Sequence, residues 1–136
     1  AVVLLAGIGV GAMLFLKEDP PPAEGEEVVA ADPVYFGLDP DFVIAFQNPK
    51  TARFLKAAVE VMARDDDVID DIKLHMPAIR DSVVMLLSSK EEESLMSREG
   101  KEQLRAEILA EVQGVLEKNT GNTGVEAVYF TNFVMQ

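Results

Sequence analysis

The chain has 136 residues, nearly half of them apolar, with 24 acidic and 12 basic side chains, one histidine, no cysteine and a formal net charge of −12. That length gives one domain and an appendage. The acidic balance disfavours nucleic-acid phosphates as partners, and the lack of cysteine excludes disulfides, thiolate catalysis and cysteine-ligated metal centres.

Residues 1–16, AVVLLAGIGVGAMLFL, carry no charge at all, so the whole net charge falls on residues 17–136. As an α-helix the segment would rise about 24 Å, short of the roughly 30 Å hydrocarbon core of a bilayer. The sequence also opens without a methionine. The expectation is a transmembrane anchor entered part-way, with further residues ahead of Ala1. Its flank, Lys17-Glu18-Asp19 and then Pro20-Pro21-Pro22, Glu24, Glu26 and Glu27, is mostly acidic. Cytoplasmic flanks favour Lys and Arg, so residues 17–136 are expected on the outer side of the membrane. A cleaved signal peptide fits less well, because Leu16-Lys17-Glu18 is a poor cleavage site. Gly7, Gly9 and Gly11 have GxGxG spacing and lack the strand–turn–helix context of a dinucleotide-binding loop. Gly7 and Gly11 do form a small-xxx-small pattern that lets membrane helices approach closely.

Residues 17–33 combine proline, glutamate and small residues, the composition of an extended, self-repelling tether. The folded domain is expected over 34–136. It opens with Val34-Tyr35-Phe36-Gly37-Leu38, and Phe42-Val43-Ile44-Ala45-Phe46 reads as a buried strand. After a turn at Asn48-Pro49-Lys50-Thr51, residues 53–64 alternate. Leu55, Ala57, Val59, Val61 and Ala63 share one face, with Lys56, Glu60 and Arg64 on the other, which predicts an antiparallel hairpin.

Behind Asp65-Asp66-Asp67, the residues Val68, Ile72, Met76, Ile79, Val83 and Leu86 recur at helical spacing. They predict one helix to about Leu87, roughly 30 Å long and kinked at Pro77. Ser89 and Glu92 have the spacing of a capping box. Ser97 is placed to cap a second long helix through Leu104, Ile108, Val112 and Val115, ending near Asn119-Thr120-Gly121-Asn122. Residues 124–136 read as a final strand. The order β–β–α–α–β gives an α+β fold with two long helices packed on a sheet.

The inventory for catalysis is thin. His75 is the sole histidine and lies beside the periodic helix face, where a surface or packing role outweighs general-base work. Ser82, Ser88, Ser89, Ser94 and Ser97 have no GxSxG setting, and several sit at helix starts. The cluster Asp65, Asp66, Asp67, Asp70 and Asp71 lacks the glycine turn and terminal acid of a calcium loop, so helix-dipole compensation explains it better. Glu91-Glu92-Glu93 reads as a solvated helix start. Leu74, Met85, Met96 and Phe54 read as core or interface, with core favoured for Leu74, Met85 and Met96. No catalytic, cofactor-binding or metal-ligating residue is assigned. The rival readings are an envelope domain that binds calcium or a small ligand, and a generic membrane-anchored scaffold.

With these elements in order the chain resembles the FliL family of bacterial flagellar basal-body-associated proteins. The resemblance runs through the Gly-rich anchor, the acidic Pro-rich linker, the strand from Tyr35-Phe36 to Phe46 and the strand over 53–64. Its most specific parts are Arg80-Asp81-Ser82-Val83-Val84-Met85-Leu86-Leu87-Ser88-Ser89-Lys90, then Ser97-Arg98-Glu99-Gly100-Lys101-Glu102-Gln103-Leu104-Arg105, and the ending Tyr129-Phe130-Thr131-Asn132-Phe133-Val134-Met135-Gln136. The family usually has proline where Arg98 stands, a minor departure at a helix start. The resemblance implies a single-pass inner-membrane protein with a periplasmic domain similar in fold to the SPFH/stomatin type. It also implies a homo-oligomeric ring that supports stator proteins of the MotA/MotB type, with no catalytic residues and no cofactor.

Overall fold

The computed structural model describes residues 31–136. The expected anchor, with Gly7 and Gly11, and all but the last residues of the expected tether lie outside that range. Among the described residues no helix is long and apolar enough to cross a membrane. The fold is α+β.

The strand predicted from alternation, β3 (Phe54–Ala63), is the centre of the sheet and the one strand that all others pair with. β1 (Val34–Gly37) and β2 (Phe42–Ala45) lie end to end along one edge of it, both antiparallel. They form a single strand interrupted at residues 38–41, where the Asp39–Pro40 peptide is cis. Arg80 holds this interruption. Its Nη1 donates to the carbonyls of Leu38 and Pro40, each at 2.7 Å, and its guanidinium lies 4.1 Å from the centre of the Phe42 ring. Replacing Arg80 with methionine keeps much of the stem packing but orphans two carbonyls. A loss of about 1–3 kcal/mol in urea denaturation is expected. β4 (Val125–Met135) runs antiparallel along the opposite edge of β3, with register shifts that leave Glu126 and Thr131 as bulge residues.

Leu55, Ala57, Val59, Val61 and Ala63 all point into the core, as their alternation predicts. Three helices cover that face. α1 (Asp66–Leu74) starts at Asp65, whose carboxylate accepts from the Asp67 N–H at 2.8 Å. It ends one residue before α2 (Met76–Ser88) begins. The single kinked helix is therefore corrected to two. Pro77 has no N–H to donate and restricts the residue ahead of it, so the chain breaks at His75 and proline falls in the first turn of the new helix.

The capping box at Ser89 does not form. The Ser89 hydroxyl donates backwards to the Leu86 carbonyl at 2.6 Å, closing α2, and the next element is a 3₁₀ turn, Glu92–Leu95, that follows Glu91. The Ser97 cap is as expected: its Oγ accepts from the Gly100 N–H at 2.9 Å and opens α3 (Arg98–Thr120). Leu104, Ile108, Val112 and Leu116 are fully buried at intervals of four, whereas Val115 is only half-buried. α3 stops at Gly121, whose φ of 77° is the left-handed conformation that closes helices without a Cβ penalty. Lys90 pairs with Glu107, tying the end of α2 to α3; this hydrogen bond holds the Glu107 carboxyl below its ordinary range.

Candidate interaction surface

Cross-strand partners share a face of a sheet. Tyr35 stands opposite Met62, Val43 and Val134 opposite Lys56, Ala45 opposite Phe54, and Tyr129 opposite Glu60. All of these belong to the face turned away from the helices. Alternation named this face by Lys56, Glu60 and Arg64. Residues of the same parity, Phe54, Ala58 and Met62, were the signal that it is largely apolar.

Among the described residues eight large hydrophobic side chains stand exposed, and five of them (Tyr35, Val43, Phe54, Tyr129 and Val134) lie on this one face. The Tyr35 and Tyr129 rings meet at 6.0 Å between centroids, tilted by 58°. Met62, directly opposite Tyr35, is only 8% exposed on a face that no described helix covers. Tyr35, Glu60, Tyr129 and Thr131 border an open cleft there of about 420 Å³. Concentrated apolar surface with aromatic anchors and a few charges at its margin is the make-up of a protein contact.

The residues weighed for other chemistry are not gathered together. His75 is half-buried at the α1–α2 break and its backbone N–H bonds to the Asp71 carbonyl. Among the described residues no group of three or more histidine, aspartate or glutamate side chains is placed to hold a metal ion. Asp65 is occupied in capping. Leu74, Met85 and Met96 are corrected from core to surface, at 71%, 66% and 55% exposed. Leu74 and Met85 lie two residues past the buried Ile72 and Val83, about 200° around the helix and so on its outer side, and Met96 follows the buried Leu95 at the end of the 3₁₀ turn.

Glu92 is the other correction. Instead of a solvated helix start it is 3% exposed. Its Oε1 accepts from the N–H groups of Lys50 (2.8 Å) and Thr51 (3.0 Å), and its Oε2 from those of Thr51 (3.1 Å) and Ala52 (3.0 Å). These backbone donors, led by Lys50 and Thr51, hold its carboxyl down at about 2. Beside it the Lys50 ammonium reaches Glu93 at 2.8 Å, which raises the lysine above its ordinary value. The carboxylate thus braces the β2–β3 turn against the 3₁₀ segment. It is a structural clamp, and the run of three glutamates gave no hint which one would be buried.

Comparison with known proteins points to one family. The family model for the flagellar basal body-associated protein FliL matches residues 35–136. A flagellar protein FliL of Aquifex aeolicus (strain VF5) is 30% identical over 103 residues, a match covering 76% of this chain and 62% of the relative. The chain thus spans less than two thirds of that relative's length. With the matched region running from β1 through β4, the chain belongs to the FliL family of flagellar basal-body-associated proteins.

Proposed function

We propose that this chain is a membrane-anchored accessory of the flagellar motor that works by assembly and not by catalysis. In this reading residues 1–16 are an inner-membrane anchor, residues 17–33 an acidic tether and residues 34–136 a periplasmic domain of SPFH/stomatin type. Copies associate side by side into a ring around stator units of the MotA/MotB type and support them. The observation that carries the assembly is the sheet face that no described helix covers, with Tyr35, Val43, Phe54, Tyr129 and Val134 exposed on it. Confinement of copies to one bilayer raises their effective concentration, so a contact of modest strength suffices. Gly7 and Gly11 would let neighbouring anchors approach closely.

Two measurements test this. Tyr35→Lys combined with Val43→Lys changes exposed positions, so the melting transition should move little, by an amount within about 1 kcal/mol. The same variant should lose the higher cross-linked species formed by the wild type in membranes, and swarming should fall with it. Normal motility in a clean deletion, with no stator protein co-purifying, would sink the motor reading. Protease added to spheroplasts should digest residues 34–136; digestion only in inverted vesicles would reverse the topology.

A further inference from the structure

A second surface adjoins the sheet face at Tyr129 and does not depend on the motor reading. β4 pairs only with β3, so its other edge has no strand partner among the described residues. α3 runs beside that edge and leaves an open groove of about 460 Å³. The groove is bordered on the helix side by Glu102, Arg105, Ala106 and Leu109 and on the sheet side by residues 126–129. Four consecutive strand residues, whose side chains alternate between faces, all border it. Its wall is therefore the backbone edge itself.

The edge already shows what it binds. Just outside the groove, the Gln113 amide on α3 donates to the Val125 carbonyl at 2.9 Å, supplying from a side chain the hydrogen bond a further strand would give. From Ala127 onward no helix side chain takes that role. The register is regular over residues 127–130, between the bulges at Glu126 and Thr131, so the open stretch is four residues long. Ala106 and Ala127 contribute only short side chains to its lining, which leaves room for a strand.

Charge selects the occupant further. Glu102 pairs with Arg98 at 3.1 Å and Glu126 with Arg64 at 3.1 Å. Arg105, half-buried in the groove, has no ion-pair or hydrogen-bond partner among the described residues. In a chain of net charge −12 this guanidinium is the uncompensated charge of the groove.

We propose that the groove between α3 and the free edge of β4 receives an extended acidic segment of a partner polypeptide. The segment adds to the sheet as a short further strand and places a carboxylate on Arg105. Main-chain pairing supplies the affinity and Arg105 the selectivity, as in other strand-addition sites that lie between a helix and a sheet edge.

A random peptide library displayed on phage and panned against the full chain in mild detergent tests this. The selected peptides should share a carboxylate flanked by β-branched residues. A synthetic copy of the leading peptide should slow amide hydrogen exchange at residues 127–130. N-methylating alternate amides of that peptide should abolish binding in one phase and leave it intact in the other. Arg105→Gln should weaken binding about tenfold, the change expected on losing one charge-assisted hydrogen bond. The proposal is overturned if no peptide is enriched, or if binding ignores both N-methylation and Arg105→Gln. It is likewise overturned if the free chain protects residues 127–130 in a concentration-dependent way, because a second copy would then occupy the edge.

Discussion

Gly100→Ala should abolish or severely weaken folding of the domain, while Gly114→Ala in the same helix should strengthen it. A Cβ built on Gly100 falls 1.7 Å from the backbone carbonyl oxygen of Ser94 and 3.1 Å from the Ser97 Oγ. A backbone atom of the 3₁₀ turn cannot rotate aside as a side chain would. The start of α3, its Ser97 cap and the turn that carries Glu92 must then separate together. A loss of about 3 kcal/mol or more, the upper end of overpacking, is expected in chemical denaturation. At Gly114 an added Cβ meets nothing within 4 Å, and the exposed helix interior there gains about 0.5–1 kcal/mol from alanine. One substitution with opposite signs at two sites fourteen residues apart separates close approach from helix propensity. Equal effects at the two sites would refute the packing argument.

The second large effect is expected at Glu92. Glu92→Ala removes the acceptor shared by the N–H groups of Lys50, Thr51 and Ala52, and buried donors left unpaired are costly. The melting temperature should drop by several degrees, more than for alanine at the exposed neighbours Glu91 or Glu93. The acid limb gives an independent check. The folded carboxyl sits at about 2 against an ordinary 4.5, so the unfolded chain takes up the proton first as pH falls. The stabilisation from Glu92 is fully present above pH 4.5 and fades as pH drops from there towards 2. Urea titrations at stepped pH should therefore show a shallower acid decline for Glu92→Gln than for the wild type. Parallel curves would mean that the clamp is not formed in solution.

What the sequence disclosed follows from the range of the forces involved. β3 was legible because one face of a strand is buried over five alternate residues, and the Ser97 cap and Gly121 stop because each acts within a few positions of itself. Pro77 was seen as a disturbance, but whether it bends or divides a helix depends on how the two halves pack. Glu92 was hidden because its partners lie about 40 residues earlier in the chain. The apolar outer face was partly concealed by the bulges at Glu126 and Thr131, which break the period of two along β4. Leu74, Met85 and Met96 misled for a simpler reason: hydrophobicity marks residues that can be buried, and only the fold decides which are.

The distance along the chain between β3 and β4 has a bearing on how the domain is made. Its partners on β3 lie roughly 60–80 residues earlier, and pairings that distant close slowly, on the scale of milliseconds to seconds. A polypeptide threading out of a ribosome or an export channel cannot complete this sheet until residues 125–135 are free to reach β3. The central strand therefore keeps one edge unpaired while the helices are made, and the sheet closes only when β4 arrives.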